Sequence, residues 1–167
     1  FGDVNNDPMN LNPGVVDYKM EFTQVEAQIC GSDWDVWRNG CIYTANMIQH
    51  TASVDWAYGV FYTWNDQYSG AYWGGFYSGG RAAIRNIIDV MNNWEGNPAY
   101  ANEYQMCRIL KAYMFQNMTD LYGDVPYSEA GQGYSTNPIP YPKYDTQEAI
   151  YNDLLKELDE AQAALST

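Results

Sequence analysis

Apolar residues recur at three- and four-residue steps along much of the chain, which is the spacing that places them on one face of an α-helix. Residues 15–30 show this pattern weakly, and Gly31 follows them as a residue that commonly ends helices. Residues 33–51 show the pattern again, with Ser32 or Asp33 placed to cap the first turn. The buried side of this second helix is predicted to consist of Trp37, Cys41, Ala45, Ile48 and Ala52.

Two longer stretches predict a helical hairpin in the middle of the chain. Residues 71–94 keep helical spacing, although the pair Gly79 and Gly80 costs about 1 kcal/mol per glycine relative to alanine. The corner Gly96-Asn97-Pro98 follows, and helical spacing resumes over residues 99–122. Because the connection is short, the two helices are predicted to pack antiparallel.

A last helix is predicted over residues 146–165, with Asp145 as its N-cap and Glu148 positioned as in a capping box. Loop-forming residues dominate residues 1–14, 53–70 and 123–144, and we find no alternation typical of a strand. The predicted fold class is therefore all-α: antiparallel helix pairs form a tetratricopeptide-like scaffold with long aromatic-rich loops, although no strict 34-residue repeat is present.

Composition and charge restrict the partners. The 167 residues carry a net charge of −13, which disfavours nucleic acid and docking on anionic lipid. Aromatic residues reach 16%, and many Tyr and Trp residues stand in polar stretches where they suit a wet binding surface as well as a core. Neutral glycans and cationic peptides remain compatible ligands.

No arrangement of residues predicts catalysis, a metal or a cofactor. The one histidine, His50, is near a helix end, and no phosphate-binding, dinucleotide, zinc-protease or nucleophile-elbow motif is present. The cysteines Cys30, Cys41 and Cys107 are expected to be free and buried. The triplet Asp3-Asn5-Asp7 has calcium-loop spacing, but later positions lack the required Gly and Glu, so turn capping is the preferred interpretation.

Two clusters combine indoles and phenols with acids or amides, which is the chemistry that stacks on sugar rings and bonds their hydroxyls. One lies at residues 32–37 and the other at residues 64–73. The predicted ligand-binding residues are Asp33, Asp35, Trp64, Asn65, Asp66, Tyr68 and Trp73. The competing interpretation is that Trp37 and Trp73 pack in the core, because both fall on apolar helix faces.

A family resemblance becomes visible at residues 103–130, EYQMCRILKAYMFQNMTDLYGDVPYSEA. A helix that runs into an aromatic-Gly-Asp-Val-Pro turn, here Tyr122 to Pro126, resembles the SusD/RagB signature. Residues 142–148 and the helix that follows them, the segment 37–40 and the opening residues 5–8 are also similar to that family. Gly123 can end the helix with a positive φ, and Val125 is held extended by Pro126, so this turn is predicted to be architectural.

The resemblance implies a non-catalytic, lipid-anchored protein on the extracellular face of a Bacteroidetes-type outer membrane. Such a protein captures glycans, or in some branches peptides, and delivers them to a TonB-dependent SusC-like transporter. The resemblance also implies that residues 1–167 form the N-terminal part of one larger domain, with the lipidated cysteine outside this sequence. Two other functions remain as alternatives: a tetratricopeptide-type adaptor that binds proteins, and an acidic glycosidase that would need two carboxylates at a defined separation.

Overall fold

The structure, a computed structural model, describes residues 17–29, 31–78, 82–134 and 137–165, with the backbone alone at Asp33 and Tyr134. The predicted lead-in loop 1–14, the triplet Asp3-Asn5-Asp7 and Cys30 lie outside these residues. The elements, in chain order, are α1 Tyr18–Gln28, α2 Asp33–Asp35, the π-helix π1 Val36–Thr44, α3 Ala45–Met47, α4 Asp66–Ser69, α5 Ala71–Tyr77, α6 Ala83–Trp94, a 3₁₀ turn Pro98–Tyr100, α7 Ala101–Tyr122, β1 Val125–Pro126, a second 3₁₀ turn Gln132–Tyr134, β2 Tyr144–Asp145 and α8 Gln147–Ala164.

The fold is all-α, as predicted, and its core lies among α1, α6, α7 and α8. Burying a large apolar side chain stabilises a fold by about 1.5–3 kcal/mol relative to leaving it exposed, and each of these helices contributes such residues. The largest fully buried side chains include Phe76, Ile84, Ile87, Phe115, Met118 and Ile150. These side chains lie on α5, α6, α7 and α8, so each of these helices buries one face in the core.

The predicted hairpin of α6 and α7 is confirmed. Gly96 adopts a φ of +70° at the corner, and the Asn97 side chain accepts a hydrogen bond of 3.0 Å from the amide of Ala99. The positive φ explains why glycine stands there, since it adopts this conformation without a Cβ clash. Cys107 on α7 is fully buried and free, and burial raises the pKa of its thiol to about 12.

The predicted single helix over residues 71–94 is wrong, because α5 ends at Tyr77 and α6 begins at Ala83. Ser78 is extended, and Ala82 has a left-handed φ of 39°. The predicted glycine pair falls in the gap between these helices, outside the described residues. Two adjacent glycines weaken a helix by about 2 kcal/mol relative to two alanines, which disfavours one continuous helix over this stretch.

The predicted buried face of residues 33–51 is wrong at three positions. Cys41, Ile48 and Ala52 are exposed, whereas Asn39 and Ile42 are among the buried residues. The reason is that Val36–Thr44 is a π-helix, whose hydrogen bonds span five residues instead of four. Each turn of a π-helix contains more residues than a turn of an α-helix. Residues chosen at the α-helical period therefore no longer fall on the face that is buried in the structure. The helical run ends at Met47 rather than residue 51.

Two smaller corrections concern the chain around the last helix. Thr146, not Asp145, caps α8, because its hydroxyl accepts a hydrogen bond of 3.3 Å from the amide of Ala149. The predicted loop 123–144 also contains β1, which pairs antiparallel with β2 in a two-stranded sheet. Two residues per strand are too few to give an alternating pattern, so the sequence contained no strand signal.

Candidate ligand-binding site

The candidate site is a cavity of about 640 Å³ lined by four aromatic rings and one cation. Its lining residues are Trp34, Trp37, Arg38, Trp56 and Tyr68. Small-molecule sites usually fall between about 300 and 1,000 Å³ and combine apolar walls with a few polar groups. The size and chemistry of this cavity match that class.

Trp37 lies at the centre of the rings and meets three of them edge to face. Its ring centroid is 5.4 Å from that of Trp34, 5.3 Å from that of Trp56 and 6.0 Å from that of Tyr68. Edge-to-face pairs at these distances are favourable because the positive ring edge meets the negative ring face. Trp34 and Trp56 remain 59% and 53% exposed. More than half of each of these two side chains is therefore accessible to a ligand, while Trp37 packs against both rings.

Arg38 supplies the positive charge of the cavity. Its guanidinium carbon is 5.5 Å from the ring centroid of Trp34 and 5.9 Å from that of Tyr68. A guanidinium over aromatic faces is stabilised by the ring quadrupoles, by about 0.5–1 kcal/mol at exposed sites and more when desolvated. The rings of Trp34 and Tyr68 thus stabilise the guanidinium at the cavity wall without using its N–H groups as hydrogen-bond donors.

The start of the α2 and π1 run places three of these residues. Trp34 and Trp37 are three residues apart, and Trp34 and Arg38 are four apart, so they share one helix face. The run begins with a reciprocal cap: the Ser32 hydroxyl accepts from the amide of Asp35 at 3.3 Å, and the Asp35 carboxylate accepts from the amide of Ser32 at 2.9 Å. This arrangement is a capping box that anchors the face at its first turn.

The loop 51–65 brings Trp56 to the cavity and is docked on π1. The Tyr43 hydroxyl donates to the carbonyl oxygens of Thr63 at 3.2 Å and Asn65 at 3.5 Å. Burial raises the pKa of Tyr43, so its hydroxyl stays protonated as a donor. Tyr58 stacks on Tyr43 with centroids 6.4 Å apart. These contacts join the middle and the C-terminal end of the loop to the same helix.

Asn65 positions Tyr68 instead of facing a ligand through its amide oxygen. That oxygen accepts hydrogen bonds from the amides of Gln67 at 3.1 Å and Tyr68 at 3.4 Å, which is the contact of an N-cap. The cap starts α4, the short helix that carries Tyr68 into the cavity. The sequence prediction therefore selected a residue of the site region whose observed role is support.

The remaining predicted residues lie in different environments. Asp35 is only 3% exposed and takes part in the capping box, whereas the side chain of Asp33 lies outside the described part. Trp64 is 77% exposed and donates its indole N–H to the carboxylate of Asp66, away from the cavity lining. Trp73 packs against other aromatic rings in a second cavity. Of the seven predicted residues, the structure thus brings Tyr68 into the cavity and Asn65 beneath it.

Trp73 has a second environment of its own. Its ring stacks on Tyr144 at 6.2 Å and meets Tyr122 edge to face at 5.4 Å, and its amide donates to the Tyr122 hydroxyl at 3.2 Å. The second cavity, of about 510 Å³, lies between α5, α6 and the loop after β1. The packing interpretation of Trp73 agrees with these contacts.

Sequence reasoning missed Trp34, Arg38 and Trp56 as lining residues. The first two carried a usable signal, because their three- and four-residue spacing from Trp37 and Trp34 predicts one face of a helix. Trp56 carried none: it has a φ of 51° in an irregular loop, and only tertiary contacts bring it to Trp37.

The described residues contain no group of three or more His, Cys, Asp or Glu side chains able to hold a metal ion. His50 is exposed. None of the helices in the described ranges combines the length and apolarity that a membrane crossing requires. What the cavity offers chemically is ring faces for stacking and one set of charged N–H donors.

Comparison with known proteins gives a consistent result. Residues 15–167 match the family model SusD-like_2, described as starch-binding associating with outer membrane. One solved structure, a chitin-binding protein, shares 33% identity at a TM-score of 0.74, covering 89% of this chain and 31% of that one. Another, titled Bacteroidetes AC2a SusD-like, shares 29% identity at a TM-score of 0.72, covering 90% of this chain and 27% of that one. No curated protein matches. The chain thus spans between about a quarter and a third of the length of these two proteins.

Proposed function

Because the chain belongs to the SusD-like family, whose members are binding proteins associated with the outer membrane, we propose that it captures a neutral glycan in the cavity around Trp37. The observation that carries the proposal is that Trp34 and Trp56, each more than half exposed, pack edge to face against Trp37 at one cavity. Sugar rings present apolar C–H faces that stack on such surfaces. The name of the similar chitin-binding protein and the family description both point to polysaccharides of six-membered sugar rings.

Charge supports a neutral ligand over an anionic one. The chain carries a net charge of −13, which repels polyanions at long range. Stacking needs no charge on the ligand, so a neutral oligosaccharide avoids this repulsion. The protein in this proposal performs no chemistry on the sugar.

The wider role follows the family. We propose a lipid-anchored protein on the extracellular face of the outer membrane that delivers its ligand to a TonB-dependent SusC-like transporter, with residues 1–167 as part of a longer SusD-like domain. Purification from detergent-solubilised native membranes is the test of this role. A large β-barrel protein should copurify stoichiometrically, and recovery of the protein alone from the membrane-free fraction would contradict it.

Calorimetric titration with maltohexaose, cellohexaose and N-acetylchitohexaose tests glycan capture. Trp56→Ala should weaken binding of the preferred hexasaccharide at least tenfold, which corresponds to about 1.4 kcal/mol. Trp56 is the suitable position because it is half exposed, so its removal should not unfold the chain. Tyr113→Ala is the matched control, since Tyr113 is 45% exposed on α7 and lies outside this cavity.

Two results would overturn the proposal. The first is that none of the hexasaccharides binds while a peptide library does, which would favour the adaptor alternative. The second is that a hexasaccharide binds equally well to the wild type and to Trp56→Ala, which would place the glycan site elsewhere.

A further inference from the structure

Arg38 is a half-buried cation without an acidic partner among the described residues. Ion pairs between a basic side chain and a carboxylate, both among the described residues, are formed by Arg85, Arg108, Lys143 and Lys156. Arg38 forms none there, as is also true of Lys19 and Lys111, although acidic residues outnumber basic ones by 21 to 8; of these three cations, only Arg38 lines the cavity. Its Nε is buried and has no hydrogen-bond acceptor in the described ranges. The charge of Arg38 therefore has no counter-ion among the described residues, and Arg38 lines the cavity, where a ligand can supply an acceptor.

The surroundings of Arg38 define the acceptor that it suits. Trp34 and Tyr68 lie against the guanidinium, which restricts it to a narrow range of orientations. The planar guanidinium carries five N–H donors in a fixed fork and accepts nothing. The complementary ligand group is therefore a strong, planar oxygen acceptor located next to an apolar ring face.

Two groups on sugars meet this description: a carboxylate and an acetamido carbonyl. A carboxylate would gain more from the local contact, because charge-assisted hydrogen bonds are about twice as strong as neutral ones. A chain of uronic acids, however, would bring many charges toward a surface of net charge −13. The acetamido group combines a carbonyl acceptor with a methyl group that can pack on an indole, and it adds no charge.

We propose that Arg38 is a specificity-determining residue that selects sugars bearing a 2-acetamido group, through hydrogen bonds from its guanidinium to the acetamido carbonyl. The inference rests on the proposed capture of a glycan in the cavity around Trp37. Hydroxyl-only glycans can stack on the same rings but leave the guanidinium donors without their carbonyl partner. A site built to hydrogen-bond a ligand group discriminates against analogues that lack it.

The test compares N-acetylchitohexaose with cellohexaose, which has the same β-1,4 backbone with a hydroxyl in place of each acetamido group. The wild type should bind N-acetylchitohexaose at least tenfold more tightly. Arg38→Met should reduce this ratio below about threefold by weakening only the acetamido ligand, since the methionine preserves much of the apolar stem. Arg38→Lys should give an affinity ratio between those of the wild type and Arg38→Met, because lysine keeps the charge but not the planar fork of N–H donors.

The controls separate specificity from folding and from the parent proposal. Arg85→Met removes an arginine outside the cavity and should leave the ratio unchanged, and each variant's melting temperature should stay close to that of the wild type. A ratio of the two affinities near one in the wild type, or an unchanged ratio in Arg38→Met, would overturn the inference about Arg38. Glycan capture would still stand in that case if cellohexaose binding depended on Trp56. Tighter binding of hexagalacturonate than of N-acetylchitohexaose would also overturn it, in favour of a carboxylate. If the wild type bound none of the hexasaccharides, both proposals would be overturned.

Discussion

The amide of Gly59 donates a hydrogen bond of 3.2 Å to the carbonyl oxygen of Ile42, which joins the loop 51–65 to the π-helix. The approach is so close that a Cβ on Gly59 would lie 2.5 Å from that oxygen and 2.7 Å from the carbonyl oxygen of Tyr43. Glycine is therefore required at this contact for lack of space. The contact holds the loop that carries Trp56 against the helix that carries Trp37.

Gly59→Ala should destabilise the protein and weaken glycan binding together. The added methyl group must displace the loop from the backbone of π1, and overpacking of this kind costs about 1–3 kcal/mol. Urea denaturation measures the first effect, and titration with the preferred hexasaccharide measures the second. Gly74→Ala is the matched control, because a Cβ there meets nothing within 4 Å and alanine favours the helix. Equal stability of Gly59→Ala and the wild type would contradict the close contact.

Gly123→Ala should destabilise the protein without changing its affinity for glycans. Gly123 ends α7 with φ 74° and ψ −121°, a conformation that side-chain-bearing residues rarely adopt. The expected loss is about 1–3 kcal/mol in unfolding free energy, and it is conformational because a Cβ would meet nothing within 4 Å. Gly133→Ala, at a glycine without positive φ, should change stability by less than about 0.5 kcal/mol. A loss of affinity in Gly123→Ala would mean that the Gly-Asp-Val-Pro turn has a binding role.

Arg108→Met should loosen the packing of α7 on α8. The Arg108 guanidinium contacts Glu157 and Glu160 at 2.6 Å each, and its side chain is only 12% exposed. The hydrogen bonds that Arg108 donates to these glutamates raise its pKa, so it remains charged. Its removal leaves Glu157 without a cationic partner and Glu160 with only the exposed Lys156, and we expect a loss of about 2 kcal/mol in a denaturant titration. Lys156→Met removes the exposed ion pair between Lys156 and Glu160, whose charged atoms are 3.8 Å apart. This substitution should lower the free energy of unfolding by less than about 0.5 kcal/mol.

Asp145→Asn should lower stability at neutral pH, and the difference from the wild type should shrink in acid. Burial acts to raise the pKa of Asp145, but hydrogen bonds from Ser128 and Tyr127 and the charge of Lys143 outweigh it and lower the pKa. A lowered folded-state pKa means that the carboxylate contributes its stability above the unfolded pKa of about 3.9 and loses it as the pH falls through the folded value.

Thermal unfolding between pH 7 and pH 2 measures this effect, with Asp159→Asn as the control at an exposed position of α8. At pH 7 the Asp145→Asn variant should be less stable by about 1–2 kcal/mol. A difference from the wild type that stays constant down to pH 2 would show that the ionised form of Asp145 contributes nothing.

Sequence patterning predicted the helices best where a long apolar stripe meets a core. The stretches 99–122 and 146–165 were predicted within two residues of α7 and α8, because burial on one face imposes a period that the sequence must carry. The prediction failed where the backbone left that period: in π1, where the turn is wider, and between α5 and α6, where Ser78 is extended and Ala82 has a positive φ.

The sequence by itself determined the helical class, the main hairpin and the aromatic character of the candidate site, because periodicity and composition are local properties of the chain. Only the tertiary structure decided which rings form the cavity. Trp56 reaches Trp37 because Gly59 allows the loop to lie against π1, and Arg38 lies between rings that come from two separate elements. Such contacts join residues distant in the chain, and no local pattern encodes which of them will meet.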